Sequence, residues 1–177
     1  MLSKEILRKK FSLIRKKKYY EVGDNFFSPI LRIIKANNFK NIAIYYPSNY
    51  ELNTLKLFRL LNKDKRVSTL LPYIKNGLIK FVKWNFLDTL KVNKFGFLDP
   101  IRTSKIIKPD LIVVPLLAFD KKKNRLGYGE GYYDKFLRKN RKAMSIGVAF
   151  SFQKYNKITT SSFDVKLKFI LTEKGIF

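Results

Sequence analysis

In "SKEILRKKFSLIRKKK", Ser3 to Lys18, apolar residues return every three or four positions at Ile6, Leu7, Phe11 and Ile14. Lysines and arginines fill the intervals, so the pattern predicts an amphipathic helix with Ser3 as its cap. A second run of the same period, "NFFSPILRIIKANN", follows Gly23, and Pro29 marks a helix start or a bend within it. "NIAIYYP", Asn41 to Pro47, is instead continuously apolar and stopped by proline, the signature of a buried strand. "ELNTLKLFRLLNK" returns to helical period, while "RVSTLLP" and "GLIKFVKW" read as two more strands. From Asn85 to Lys108 neither period persists, and a helical turn with loops around "FGFLDP" is expected. Leu111 to Val114 form the clearest buried strand, closed by Pro115. A helix from about Tyr132 to Lys139 follows, and "AMSIGVAF" and "LKFILT" supply the last two strands. Strands alternating with helices predict an α/β chain, with a mostly parallel sheet covered on both faces. No internal repeat or flexible linker divides residues 1–177, so one domain is expected.

Charge changes the picture only partly. With 38 basic and 13 acidic side chains the formal charge is +25, which invites a polyanionic partner. The basic residues run along the whole chain, however, in company with abundant Asn and Ile. That resembles the drift of an AT-rich genome more than a selected patch. Nucleic acid is therefore not the expected partner, and anionic small molecules answer the same field. The rival reading is a basic RNA- or ribosome-associated protein that keeps an old nucleotide-binding scaffold. Cysteine and histidine are both absent, which excludes disulfides, thiol catalysis and the usual zinc sites. Any metal must take oxygen ligands, which points to magnesium, and acid–base steps fall to carboxylate, lysine, tyrosine or the substrate itself. "MLSKEILRKK" lacks the apolar core of a signal peptide, and no run is long enough to span a membrane. A cytoplasmic protein, monomeric and without a membrane partner, is expected.

One stretch concentrates the candidate chemistry. "RLGYGEGYYDKFL", Arg125 to Leu137, alternates three glycines, Gly127, Gly129 and Gly131, directly before a helix. Glycines let successive N–H groups turn toward an anion, and the helix N-terminus adds its own N–H groups and dipole. A plain strand-to-helix turn would look similar, since the spacing is neither a Walker loop nor GxGxxG. Arg125 can offer a fork to phosphate, and Asp134 falls in the helix's first turn, where it can hold magnesium or simply complement the dipole. Tyr128, Tyr132 and Tyr133 offer faces for a heterocycle, or pack in the core.

"VVPLLAFDKKKNRLGYGEGYYDKFL" closely resembles the signature of the 5-formyltetrahydrofolate cyclo-ligase family, also called 5,10-methenyltetrahydrofolate synthetases. Weaker echoes extend over nearly the whole chain: "KEILR" from Lys4 to Arg8, "YPSNYELNT", "FGFLDP" and "FDVKLKFILTE". The resemblance implies a three-layer α/β/α fold of the NagB/RpiA/CoA transferase-like kind. It also implies ATP- and magnesium-dependent closure of 5-formyltetrahydrofolate to 5,10-methenyltetrahydrofolate, with ADP and phosphate released.

Residue by residue, it assigns ATP contacts to Lys4, Arg8, Arg125, Leu126, Gly127, Tyr128, Gly129, Glu130, Gly131, Tyr132 and Tyr133. Folate contacts fall to Tyr46, Glu51, Tyr128, Gly129, Glu130, Gly131 and Tyr132. Magnesium falls to Asp134 and Asp164, and the catalytic assignments are Arg125 and Asp134. Lys4 and Arg8, four apart, share one helical face as such a role requires, although any lysine-rich helix shows similar pairs. A carboxylate at Glu51 suits the adjacent N–H donors of a pterin edge; an exposed glutamate at a helix start is the bland alternative. Four positions depart from the family's pattern: Leu116 for glycine, Asp99 for glutamate, Phe163 for the common histidine, and Glu130 inside the phosphate loop.

Overall fold

The computed structural model describes residues 2–93, 96, 98–101 and 105–177. Helix α1 (Lys4–Lys18) starts at Ser3, whose hydroxyl accepts the Ile6 N–H. A 3₁₀ turn, Asp24–Phe27, leads into α2 (Ser28–Ala36), with Pro29 in the first turn where its missing N–H costs nothing. Next come β1 (Asn41–Ala43), α3 (Leu55–Leu61), β2 (Ser68–Lys75) and β3 (Leu78–Lys83). Then follow β4 (Leu90–Val92), β5 (Leu98–Pro100), β6 (Leu111–Val114), β7 (Ala118–Phe119) and β8 (Arg125–Leu126). Helix α4 (Tyr132–Lys139), β9 (Met144–Val148), β10 (Phe169–Thr172) and β11 (Gly175–Ile176) complete the chain.

Seven strands form one sheet in the order β11-β10-β9-β6-β1-β2-β3. The five from β10 to β2 run parallel, and an antiparallel strand closes each edge. Alternate residues supply two cores. Ile42, Leu111, Val113, Ile146 and Val148 face α2 and α3, packing on Phe27, Ile30, Leu57 and Phe58. Ala43, Leu70, Ile112, Val114 and Ile170 face the other way, toward Leu137 of α4. Helices thus cover both faces, as the alternation of strand and helix predicted. Leu7 and Phe11 of α1 pack in a third cluster with Ala118 and Leu126, on the small β7–β8 ribbon.

Two expectations need correction. The region from Asn85 to Lys108 begins with the expected turn, closed by the Asp88 N–H on the Asn85 carbonyl at 2.9 Å, but beyond it holds an antiparallel pair, β4 with β5, that was not expected. Three-residue strands show barely one alternation, so their pairing is decided by the partner strand rather than by a readable period. Of "FGFLDP", Leu98 to Pro100 form β5, whereas Phe95 and Phe97 lie outside the described residues. The helix read from "ELNTLKLFRLLNK" starts only at Leu55, because Glu51 closes the preceding turn on the Ser48 carbonyl and Leu52 and Asn53 are irregular. Thr54 instead donates its hydroxyl to the Tyr45 carbonyl at 2.5 Å.

Candidate functional site

Strand β1 leads on to β2 on one side, while β6 pairs with its other side. The carboxyl ends of β1 and β6 therefore flank a reversal of strand order, where open α/β sheets form their ligand crevice. A cleft of about 440 Å³ opens there, within the usual size of small-molecule sites. Tyr46 and Glu51 reach it from beyond β1 and Pro115 from the end of β6, with the glycine loop alongside. Lys4 and Arg8 enter from α1, and Asp164 from the segment before β10. Every residue assigned a contact by the resemblance lines this one cleft.

The glycines have distinct physical reasons. A Cβ on Gly127 would come within 2.8 Å of Arg125 Nη1, so a side chain there would displace the guanidinium. Gly129 has φ +123°, strained for any L side chain, and its Cα hydrogen faces the Arg8 guanidinium, 3.5 Å from the place a Cβ would occupy. Gly131 is left-handed at φ +67° and is the N-cap of α4, where no side chain caps the first turn. Arg8 Nε donates to the Gly127 carbonyl at 3.0 Å, tying α1 to the loop. Leu126 packs its side chain with Leu7 and Phe11, and Glu130 is exposed at the rim.

Two ion pairs hold the polar wall. Arg125 donates to Asp134 at 2.7 Å, with only 6 % and 15 % of the two side chains exposed. Burial pulls the Arg125 guanidinium below its ordinary pKa, and the Asp134 charge works against that pull. The other Asp134 oxygen accepts the Val165 N–H at 3.0 Å. Lys4 donates to Asp164 at 2.6 Å, and Ser161 N–H adds 2.7 Å to the same oxygen. Burial alone would raise the Asp164 carboxyl, but Lys4 and Ser161 outweigh it and hold it below the ordinary value. Among the described residues no three acidic, histidine or cysteine side chains gather into a metal-binding group. Asp134 and Asp164 are nonetheless two oxygen donors on one cleft, which fits a hard cation that completes its shell with water and phosphate.

The opposite wall is built around Glu51, which is buried rather than at an exposed helix start. Ser48 N–H donates to one carboxylate oxygen at 3.0 Å and the Tyr128 hydroxyl to the other at 2.5 Å. Burial raises the Glu51 pKa, while the bond from Tyr128 and the nearby Arg15 charge oppose the rise. The same burial, with Glu51 beside it, drives the Tyr128 hydroxyl well above its ordinary value. Tyr46 meets Trp84 edge to face, with ring centroids 6.2 Å apart. Tyr132 carries Lys135 over its ring, and the Tyr133 ring lies under the Arg125 guanidinium.

The sequence profile of the 5-formyltetrahydrofolate cyclo-ligase family matches residues 3–173. The chain belongs to that family. A 5-formyltetrahydrofolate cyclo-ligase from Haemophilus influenzae is 34% identical over 150 residues, 80% of either chain. One from Mycoplasma genitalium is 30% identical over 141 residues, covering 78% of this chain and 76% of the relative. Among solved structures, a 5,10-methenyltetrahydrofolate synthetase from Aquifex aeolicus superposes with a TM-score of 0.79 at 28% identity, covering 99% of this chain and 92% of its own. A Mycoplasma pneumoniae synthetase at 23% identity shares the fold, with a TM-score of 0.75 over 96% of this chain and 98% of its own. The protein is thus an enzyme of the cyclo-ligase family.

The departures from the family's motifs find physical settings here. Leu116, in place of glycine, is buried, with its Cδ2 only 2.7 Å from where a Cβ on Gly147 would lie. Glycine at position 147 leaves the space that the Leu116 side chain fills. Burial raises the Asp99 pKa, and Asn93 Nδ2 donates to it at 3.0 Å. Phe163 is exposed at the cleft rim, with the Arg138 guanidinium 5.1 Å from its ring centroid. What the motifs missed is Arg15, 1 % exposed, which meets Tyr128 beneath the cleft. The signal was present: Leu7, Phe11 and Arg15 stand four apart, placing an arginine on the buried stripe of α1.

Proposed function

We propose that residues 1–177 form one cyclo-ligase domain that closes 5-formyltetrahydrofolate to 5,10-methenyltetrahydrofolate using ATP and magnesium. The observation that carries this reading is the single cleft where Lys4, Arg8, Glu51, Arg125, Asp134 and Asp164 meet from segments up to 160 residues apart. One wall offers cations and loop N–H groups to a triphosphate, and the other offers a buried carboxylate to the N–H donors of a pterin.

In the proposed sequence the formyl oxygen attacks the γ-phosphorus as the bond to the ADP oxygen breaks. N10 then adds to the activated formyl carbon, its proton leaves, and the carbon–oxygen bond breaks to release phosphate. No histidine is required, because the main demand is charge stabilisation on the transferring phosphoryl group. Lys4, Arg8 and Arg125 supply fixed positive charge there, and the loop glycines let backbone N–H groups approach the phosphates. Glu51 orients the pterin so that the formyl oxygen lies in line with the γ-phosphorus. Asp134 and Asp164 would hold the magnesium ion, which would neutralise phosphate charge. On binding, Lys4 and Arg125 exchange carboxylate partners for phosphate oxygens.

The test incubates the purified protein with 5-formyltetrahydrofolate and Mg-ATP and follows methenyl absorbance in the near ultraviolet. The expected rise depends on both ATP and magnesium. No chromophore with both present would refute the reading.

A further inference from the structure

We propose that Arg15 is a positioning residue for folate recognition, setting both the Glu51 turn and the Tyr128 hydroxyl that bonds Glu51; the proposal rests on the folate assignment of the preceding section. The turn carrying Glu51 is an unusual one. Asn49 and Tyr50 both have positive φ, +47° and +61°, and neither is glycine. The Glu51 N–H closes the turn on the Ser48 carbonyl at 2.8 Å, the pattern of a type I′ turn. Left-handed backbone at two successive side-chain-bearing residues is unfavourable, and it persists only where its surroundings hold it.

Arg15 is part of that hold. Its Nη2 donates to the Asn49 carbonyl at 2.7 Å, at the centre of the turn. The same nitrogen donates to the Tyr128 hydroxyl at 2.7 Å, and Nη1 reaches the Leu116 carbonyl just after β6 at 3.3 Å. One guanidinium thus joins the folate turn, the glycine loop and the end of the central strand. Because the Tyr128 oxygen accepts from Arg15, its own proton is directed to Glu51, which it meets at 2.5 Å. Glu51 is then oriented by Tyr128 on one oxygen and Ser48 on the other, with lone pairs left for a ligand. Among the described residues no carboxylate bonds Arg15 directly, and Glu51 meets its charge only through the Tyr128 hydroxyl; the guanidinium's bonds go to two carbonyls and a phenol. An arginine so buried, with its Nε unpartnered as well, is costly unless the arrangement it maintains is needed. A lysine would replace it only in part, since its single ammonium nitrogen lacks the two-nitrogen fork that serves these three acceptors.

The experiment compares wild type, Arg15→Lys, Arg15→Met, Tyr128→Phe and the Arg15→Met/Tyr128→Phe double variant. Folate binding is measured by calorimetry with 5-formyltetrahydrofolate, ATP binding with Mg-ATP, and turnover by the methenyl chromophore. Arg15→Met should weaken 5-formyltetrahydrofolate binding about 10- to 100-fold, the scale of a lost charge-assisted hydrogen bond. Mg-ATP binding should change several-fold less, and Arg15→Lys should recover part of the loss. In the Tyr128→Phe background Arg15→Met should cost clearly less than in wild type, because part of its action runs through that hydroxyl. Equal weakening for both ligands, or fully additive effects, overturns the proposal. If Arg15→Met does not fold, Arg15→Lys and Tyr128→Phe decide it: unchanged folate affinity in both would refute it. A wild type that binds and converts folate while the variants bind it equally well sinks this inference alone. A wild type that neither binds nor converts folate sinks the cyclo-ligase reading and this inference with it.

Discussion

Replacing Asp134 by Asn removes one charge from a pair whose side chains are 6 % and 15 % exposed, and leaves the buried Arg125 without its hydrogen-bonded counter-charge, with only the more distant Asp164 still acting on it. Its cost can be worked from the contacts. Asp134 accepts from Arg125 at 2.7 Å with one oxygen and from Val165 N–H at 3.0 Å with the other. An asparagine has one acceptor and one donor, so in either orientation its NH₂ faces an existing donor and one bond is lost. Breaking one side of a buried ion pair costs about 3–5 kcal/mol, which for a chain of this size lowers the melting temperature by about 6–20 °C.

Urea and thermal unfolding at neutral pH measure this directly. The accompanying Arg125→Leu/Asp134→Leu variant removes both charges, and should recover most of the lost stability. Under the proposed function neither variant turns over, so the double variant would be folded and inactive. A melting temperature for Asp134→Asn within 2 °C or so of wild type would show that the pair is effectively solvated, and would refute the reasoning.

Gly147→Ala should destabilise by about 1–3 kcal/mol, since its Cβ would lie 2.7–2.8 Å from methyl groups of Leu116, Leu167 and Ile170; denaturant unfolding should show the penalty reduced in a Leu116→Ala background. The Asp164 carboxyl sits below its ordinary pKa, so its contribution is present above the usual carboxylate range and lost as pH falls through its folded value. Lys4→Met should therefore cost up to about 1 kcal/mol near neutral pH, and acid-titrated stability curves of the two proteins should converge below the carboxylate range. Glu51 works in the opposite sense: its raised pKa withdraws stability as pH climbs from the usual carboxylate value through its folded one. Adding 5-formyltetrahydrofolate should offset part of that loss, which melts with and without ligand across this range would detect. Glu130→Gln should leave turnover within about threefold, because the carboxylate is exposed at the rim and screened by solvent and salt; a larger gain in apparent ATP affinity would mean that it faces the triphosphate.

The elements with a sustained period were legible along the chain: α1 and α4 as helices, β6 from a continuous apolar run closed by proline, and β1 from a similar run, although β1 ends at Ala43 rather than at Pro47. The glycine loop was legible too, because left-handed backbone at Gly131 and close approach at Gly127 call for glycine itself. Those signals are local, carried by the conformational limits of residues near one another in sequence. The pairing of β4 with β5 was not legible, since three residues carry no period of their own. Nor were the partners of the charged groups. Lys4 and Asp164 lie 160 positions apart, and a carboxylate beside a lysine cannot be told from a solvated one until the chain folds.

Arg15 marks the boundary between the two kinds of information. Its place on the buried stripe of α1 is written in the spacing from Leu7 and Phe11. That it meets a strained turn and a tyrosine from the glycine loop depends on three segments converging at the ends of β1 and β6. Sequence alone marked the apolar stripes and runs and the glycines of the loop, but not every buried position: Ile6 of the first stripe is exposed, while Arg15 and Glu51 are buried. Only the tertiary structure decided which charges face one another, because Coulomb and hydrogen-bond energies depend on separation in space and not along the chain.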